Sequence, residues 1–220
     1  MKAVVKAFVQ RRYPANWLQY RAFDALVRDS ESYVHKTGWL RSLDEGRPVD
    51  AQGQPVPWMN YAATAFLEER LRSDHGLFEY GSGASTAFFA ARVAHVTSVE
   101  YDEAWLAQVR QTAPANVTLV FRAHDEDGAY CRAISETGRT YDVVIVDGRD
   151  RVNCLRQSVE ALTPGGVLVL DDSQRPRYAP GAAFLRDRGF RALRFEGLKP
   201  TGTATDQTTV FYRPDNAFDL

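Results

Sequence analysis

The sequence predicts an α/β fold with a mostly parallel sheet. From Leu77 onward, short apolar runs alternate with stretches of helical periodicity, a pattern typical of a parallel sheet covered by helices on both faces. The loop between the last two predicted strands has about a dozen residues, too few for a helical crossover, so these two strands are predicted to be antiparallel. The strand candidates are Leu77–Tyr80, Val96–Glu100, Val117–Phe121, Val143–Asp147, Val167–Leu170, Ala192–Phe195 and Thr208–Tyr212.

Residues 1–56 differ from the rest of the chain and form a predicted helical extension or lid. They are aromatic and basic, with helical patterns over Asn16–Arg28 and Ser32–Leu43 followed by a connector rich in glycine and proline. The next helix is predicted to begin at Pro57, because proline suits the first helical position. We therefore expect the sheet domain to span residues 57–220.

The composition predicts a soluble, cytoplasmic protein that does not bind nucleic acid. Its 27 Lys and Arg residues are balanced by 28 Asp and Glu residues, for a net charge of -1, so a broad positive field for phosphates is missing. Two cysteines are too few for a disulfide scaffold, and no apolar run is long enough for a transmembrane segment. Residues 1–23 are basic; we expect a surface helix, with a transit peptide or a membrane-surface helix as alternatives. The oligomeric state stays open.

Polar residues follow the predicted strands, at the edge where open α/β sheets bind ligands. Gly81 and Gly83 follow the first strand and allow a tight turn with close approach of the backbone to a ligand. Glu100 ends the second strand, 17 residues after Gly83, where a carboxylate can accept both hydroxyls of a ribose. Together with Glu79 these residues predict an adenosine pocket. Asp102 is expected only to cap the helix that follows it.

A nicotinamide-dependent dehydrogenase is the competing interpretation, since it would use the same crevice and the same ribose acid. Two features count against it. The dinucleotide fingerprint needs a glycine where this chain has Thr86, and only a hairpin follows the fifth strand in place of a second mononucleotide-binding half.

Four segments resemble, in order, the motifs of class I S-adenosylmethionine-dependent methyltransferases. They are EYGSGAS at 79–85, VEYD at 99–102, YDVVIVD at 141–147 and LTPGGVLVLD at 162–171. The resemblance covers about residues 57 to 213. It implies a Rossmann-like fold with a seven-stranded sheet, transferase activity and S-adenosylmethionine as cofactor. The chain departs from the family at the third position of the glycine-rich loop, where Ser85 stands for glycine.

The resemblance also implies which residues contact the cofactor. Glu79 and the backbone of Gly81–Gly83 would hold the methionyl part, Glu100 the ribose, and His124 or Asp125 would approach the adenine. The helix before the first strand would cover the cofactor, although ordinary packing is an equal alternative for Trp58. The full set of predicted cofactor residues is Trp58, Asn60, Tyr61, Glu79, Gly81, Ser82, Gly83, Ser85, Glu100, Tyr101, Asp125 and Asp147.

Three carboxylates follow the fourth and fifth strands and are candidates for catalysis. Asp147, Asp171 and Asp172 could converge as oxygen donors for a hard divalent cation, and the layout is similar to catechol O-methyltransferase-like enzymes, which hold magnesium. The alternative is that Asp147 contacts the cofactor or water while Asp171 or Asp172 caps the next segment. Mg²⁺ thus stays one of two alternatives, and His124 is the predicted general base.

Arginines on the same edge predict the acceptor. Guanidinium groups bind carboxylate or phosphate through paired hydrogen bonds, so we expect a small polar or acidic acceptor, methylated at a hydroxyl oxygen. Plain solvation of these side chains is the alternative, and a non-catalytic nucleoside-binding module is the alternative function. The predicted acceptor residues are Arg149, Arg151, Arg175, Arg177 and Tyr178.

Overall fold

Seven strands form a single sheet in the computed structural model, which describes residues 2–12 and 14–220. The strand order is β3-β2-β1-β4-β5-β7-β6. The strands are β1 (Gly76–Tyr80), β2 (His95–Glu100), β3 (Val117–Phe121), β4 (Tyr141–Val146), β5 (Leu162–Leu170), β6 (Arg191–Gly197) and β7 (Asp206–Tyr212).

The arrangement of the strands confirms the predicted mixed sheet. Strands β1 to β5 pair in parallel, whereas β7 is antiparallel to both β5 and β6. The predicted strands are all present, and the main difference is β5, which begins at Leu162 and not at Val167. Its pairing with β4 shifts register between Tyr141 and Val143, so the Pro-Gly-Gly segment lies within the strand.

Helices cover both faces of the sheet and complete two apolar cores. Leu77 and Phe78 are neighbours on β1 and are both fully buried, one in each core. This double burial explains why the parallel strands are apolar without alternation. The helices are α5 (Tyr61–Arg70), α6 (Ala84–Ala90), α7 (Glu103–Thr112), α8 (Ala129–Glu136), α9 (Arg151–Ser158) and α10 (Ala179–Asp187), with short 3₁₀ helices at Val159–Ala161 and Pro176–Tyr178.

The described residues of the N-terminal extension form four helices: α1 (Lys2–Arg12), α2 (Pro14–Arg28), α3 (Tyr33–Lys36) and α4 (Trp39–Glu45). The prediction of one helix over Ser32–Leu43 is wrong. Gly38 interrupts it at φ +78, and a Cβ there would collide with the backbone of Asp50, so only glycine permits this turn. Within the described residues, no helix is both long and apolar enough to cross a bilayer.

The start of α5 differs from the prediction as well. The helix begins at Tyr61 and not at Pro57, because Asn60 is its N-cap and accepts a hydrogen bond from Ala63 N at 3.0 Å. The Asn60 amide also donates to Thr208 Oγ1 at 2.9 Å and to Phe195 O at 3.2 Å. The cap therefore joins α5 to the antiparallel hairpin of β6 and β7.

The extension and the segment that follows it both contact the loop between β6 and β7, residues 198–205, which we call the β6–β7 loop. Trp39 Nε1 donates to Gly202 O at 2.7 Å, and Trp58 Nε1 donates to Pro200 O at 2.9 Å. Backbone bonding adds Tyr61 N to Leu198 O at 2.9 Å. This loop thus joins the N-terminal segment to the edge of the sheet.

Replacing Asn60 tests this connection. Asn60→Ala removes the cap and leaves the buried Thr208 hydroxyl without its donor, so the free energy of unfolding should fall by about 1–3 kcal/mol. Asn60→Ser keeps a capping oxygen and should lose less. Urea denaturation measures both variants. An unfolding free energy for Asn60→Ala equal to that of the wild type would contradict the assignment.

Candidate functional site

Two glycine-containing loops meet at the carboxyl edge of the sheet. Gly81 follows β1 at φ +97, and a Cβ on it would lie 3.1 Å from Gly148 Cα. Gly148 follows β4, and a Cβ there would collide with the hydroxyl of Tyr130. Because neither residue carries a side chain, the two loops approach closely.

Glu79 lies beneath the first of these loops and not in an open cavity. Its side chain is fully buried and accepts hydrogen bonds from the hydroxyls of Ser85, Thr86 and Ser98. Burial raises the pKa of Glu79 to about 7, although the three hydroxyl donors oppose the shift. The predicted direct contact with the cofactor is therefore corrected: Glu79 supports the loop through its hydroxyl groups.

Glu100 ends β2 and faces the loop from the next strand. One carboxylate oxygen accepts from Ser82 N at 2.9 Å and from Ser82 Oγ at 3.1 Å. The other accepts from the backbone N–H groups of Tyr101 at 2.8 Å and Asp102 at 3.0 Å. The Glu100 carboxylate thus fixes the glycine loop. The same side chain borders the first cavity.

The first cavity has a volume of about 720 Å³ and opens above β1, β2 and β4. Eight of the predicted cofactor residues border it: Trp58, Gly81, Ser82, Gly83, Ser85, Glu100, Tyr101 and Asp147. The other lining residues are Gly46, Arg47, Pro48, Ala84, Asp102, Trp105, Gly148, Arg149 and Arg151.

Three further predicted cofactor residues do not border this cavity. Asp125 accepts hydrogen bonds from the backbone of Ala129 at 2.7 Å and Tyr130 at 3.0 Å. These N–H groups hold the pKa of Asp125 below its usual value, and Asp125 is a cap for α8. Asn60 is the buried cap of α5. Tyr61 is buried and packs edge-to-face with Tyr33, with the ring centroids 6.2 Å apart. All three are therefore corrected to structural positions.

Trp105 and the connector residues Arg47 and Pro48 border the first cavity but were not predicted. Trp105 Nε1 donates to Ser82 O at 2.8 Å, so the indole fixes the glycine loop from outside. The backbone of Trp105 is capped by Asp102 at 2.9 Å, the role predicted for that acid. The sequence did contain a signal for Trp105: it lies three positions after the helix cap Asp102, just beyond the end of β2. The connector offered none.

A second cavity of about 760 Å³ adjoins the first. The two cavities share Tyr101, Gly148, Arg149 and Arg151. The predicted acceptor residues all border the second one, together with the predicted base His124. Its full lining is Tyr101, His124, Glu126, Gly148, Arg149, Asp150, Arg151, Val152, Asn153, Arg156, Arg175, Arg177 and Tyr178. Among the five arginines of this lining, Arg156 is the one that was not predicted.

The arginines of the second cavity are not equivalent. Arg151 is buried and paired with acids, and Arg175 pairs with Asp172 at 2.6 Å. Arg149 donates to Tyr101 Oη at 3.0 Å and Arg177 to Tyr178 Oη at 2.8 Å. Among the described residues, the ion pairs leave Arg149, Arg156 and Arg177 without a carboxylate partner.

The predicted metal ligands surround a guanidinium group. Arg151 Nη2 lies 2.8 Å from Asp147 Oδ1 and 3.6 Å from Asp172 Oδ2, and Arg151 Nη1 lies 4.0 Å from Asp171 Oδ2. Asp171 and Asp172 border neither cavity. Because a guanidinium already stands among these oxygens, the three residues do not fit a divalent ion. The Mg²⁺ alternative and the catalytic roles of Asp171 and Asp172 are corrected accordingly.

Burial and the neighbouring cations divide the acids by pKa. Burial raises the pKa of Asp147 and raises that of Asp171 well above its usual range. Burial also acts on Asp172, but Arg151 and Lys199 outweigh it and hold the Asp172 pKa below its usual value. The pKa values of the neighbouring Asp171 and Asp172 are thus shifted in opposite directions.

Comparisons with known proteins agree with the geometry. Residues 78–173 match a family described as "Methyltransferase domain". Precorrin-8w decarboxylase from Methanobacterium thermoautotrophicum is 18% identical over 76% of this chain and 97% of its own, with a TM-score of 0.54. N-methyltransferase NodS from Bradyrhizobium japonicum is 17% identical over 81% and 100%, with a TM-score of 0.53. An rRNA methylase from Streptococcus thermophilus is 15% identical over 70% and 95%, with a TM-score of 0.51. No curated protein matches the sequence.

The fold and the matched domain confirm the class that the motifs predicted, the class I methyltransferases. Residues 78–173 are thus the part of the chain that matches a methyltransferase domain, and most of the chain shares its fold with methyltransferases. The dehydrogenase alternative lacks its structural basis, because β6 and β7 form an antiparallel hairpin where a second mononucleotide-binding half would stand.

The buried Glu79 predicts a pH-dependent stability. Its pKa is about 7 in the folded chain against an ordinary 4.5, so between these values the folded state keeps a proton that the unfolded state releases. Stability from this group is therefore lost as pH rises from about 5 to about 8. Relative to Glu79→Gln, the wild type should lose on the order of 1–3 kcal/mol of unfolding free energy over that range.

Urea denaturation at several pH values measures this difference. Glu103→Gln, an exposed substitution on α7, is the matched control and should follow the wild type at every pH. A constant difference between wild type and Glu79→Gln across the range would contradict the assignment.

Proposed function

We propose that the chain transfers a methyl group from S-adenosylmethionine in the first cavity to a hydroxyl oxygen of a small polar or acidic acceptor in the second. The observation that carries the proposal is the shared border of the two cavities at Tyr101, Gly148, Arg149 and Arg151. Ligands on either side of this border would meet there. We further propose that residues 1–56 act as a wall or lid over the sheet domain, since Arg47 and Pro48 border the first cavity.

The first cavity suits a nucleoside at its Glu100 end. A carboxylate has about four acceptor positions, and Glu100 already accepts three backbone N–H bonds and one hydroxyl bond. The Ser82 hydroxyl is the only one of these donors that can rotate away. We infer that a ribose hydroxyl replaces it. NodS, which shares this fold, has been solved with S-adenosyl-L-homocysteine, and this supports the same use of the cleft.

The second cavity favours an anionic acceptor. Arg149, Arg156 and Arg177 border it without a carboxylate partner among the described residues. Guanidinium groups match carboxylate or phosphate oxygens through paired hydrogen bonds. Glu126 and Asp150 border the same cavity, so its lining carries two acids beside the arginines.

His124 is the proposed general base. It borders the second cavity, and its ring lies 6.2 Å from the Tyr101 ring at the shared border. When bound, S-adenosylmethionine supplies a methyl group activated on a sulfonium. The acceptor oxygen forms the new C–O bond, the C–S bond breaks with its electron pair left on sulfur, and His124 takes the hydroxyl proton. Alignment across the border supplies the remaining acceleration.

Cofactor binding is tested at Glu100 and Ser82. Glu100→Ala should weaken S-adenosylmethionine binding at least about tenfold, because a charged hydrogen-bond acceptor is lost. Ser82→Ala removes only the competing hydroxyl and should bind as well as the wild type or better. Isothermal titration calorimetry measures both dissociation constants, with NAD as a control ligand. Tight binding by Glu100→Ala, or equal losses in both variants, would refute the ribose assignment.

Methyl transfer from labelled S-adenosylmethionine to hydroxylated carboxylic acids and sugar phosphates tests the acceptor side. We expect turnover that falls about tenfold or more in kcat/KM when Arg156 and Arg177 are both replaced by Gln. Arg110→Gln, an exposed residue of α7 outside both cavities, is the control. A parallel arm offers RNA, because rRNA methylases share the fold.

Each alternative gives a different result. Methylation of RNA alone would replace the small-molecule acceptor with a nucleic acid. Binding of S-adenosylmethionine without any turnover across the acceptors would favour the non-catalytic module. Turnover that is equal in wild type and the double variant would remove the arginines from acceptor binding.

A further inference from the structure

A lysine stands in the cluster of carboxylates that is best arranged for a metal ion. Among the described residues, one group of acids has the spacing of metal ligands: Asp171, Asp172 and Asp206, whose oxygens lie within 4.8 Å of one another. The Lys199 ammonium lies 3.2 Å from Asp172 Oδ1 and 3.2 Å from Asp206 Oδ2. All three acids are buried.

Charge balance argues against an additional cation in this cluster. Four acids meet at the ends of β4, β5 and β7, namely Asp147, Asp171, Asp172 and Asp206. Three cations contact them: Arg151, Arg175 and Lys199. Four acids face three cations, so the cluster is within one charge of neutrality as it stands. A divalent ion would add two charges in a buried place or would have to displace Lys199.

We propose that Lys199 is a built-in cation that takes the place of a divalent metal at the ends of β5 and β7. Its ammonium supplies the positive charge that Asp172 and Asp206 require, and a covalently attached lysine does so at any metal concentration. The proposal concerns the structural basis of the site and does not depend on which acceptor is methylated.

The same ammonium anchors the β6–β7 loop. Lys199 belongs to this loop, and the neighbouring Pro200 O accepts the hydrogen bond of Trp58, which borders the first cavity. Gly202 O accepts that of Trp39. Lys199 is thus a positioning residue: by fixing the loop on the acids, it fixes the N-terminal wall of the cofactor cavity.

Thermal unfolding with and without millimolar MgCl₂ or MnCl₂ tests the proposal. The wild type should show no metal-dependent change in Tm. Lys199→Met removes the charge at similar length and should lower Tm by about 5–10 °C, and added metal should restore part of the loss, since the freed acids then bind it. Lys199→Arg keeps the charge and should remain closer to the wild type.

Lys36→Met is the matched control, because Lys36 pairs with Glu31 on the exposed surface, and it should change neither Tm nor its response to metal. Metal stabilisation of the wild type would overturn the proposal, as would an unchanged Tm in Lys199→Met. A loss in Lys199→Met that metal does not reduce would also overturn it. Should Lys199→Met fail to fold, the wild-type titration and Lys199→Arg still decide the question.

A second measurement distinguishes a role of Lys199 in positioning the cavity wall from an effect on the stability of the fold alone. S-adenosylmethionine affinity of folded Lys199→Met, measured by calorimetry well below its Tm, should fall severalfold, and saturating metal should recover it together with Tm. Unaltered affinity would overturn the anchoring of the cavity wall. If the wild type itself did not bind S-adenosylmethionine, the proposed function would be refuted. The metal titration, which follows Tm, would still test the role of Lys199.

Discussion

The buried guanidinium of Arg151 joins the strand ends on which both cavities depend. It donates to the carbonyl oxygens of Asp147 at 3.0 Å and Gly148 at 3.0 Å after β4, and to Asp171 O at 2.5 Å after β5. A buried charge is tolerated only when its donors are paired, and here carbonyls and carboxylates pair them. Because α9 begins at Arg151, the start of that helix and the border between the cavities are fixed by one side chain.

This use of Arg151 determines which arginines remain for a ligand. The sequence predicted four arginines on one edge as acceptor residues, with plain solvation as the alternative, but Arg151 and Arg175 pair with acids of the chain itself. Arg149 and Arg177 remain, joined by Arg156 from α9. The centre of the Tyr178 ring lies 5.2 Å from Arg151 Cζ and 4.8 Å from Arg177 Cζ, so one aromatic ring contacts both the ion-paired Arg151 and Arg177.

Strand positions and strand ends could be predicted from the sequence because they follow from burial along the chain. Leu77 and Phe78 are both buried, and a run of such residues indicates a parallel strand. The direction of each polar side chain could not be predicted. Asn60 faces Thr208, 148 positions away, and no local pattern reports such a partner. Asp171 and Asp172 were correctly placed at a strand end, but Lys199, which pairs with Asp172, lies on a distant loop.

Ser85, the departure from the family's glycine-rich loop, has a physical explanation in the same terms. Its hydroxyl donates to Glu79, and Thr86 and Ser98 donate to the other oxygen of that carboxyl. A glycine at position 85 would leave one buried oxygen of Glu79 without a donor, which is costly out of water. The serine therefore accompanies the buried acid. The loop keeps glycine at position 81, where φ is +97 and Gly148 approaches closely, and has a hydroxyl at position 85, where the carboxyl needs a donor.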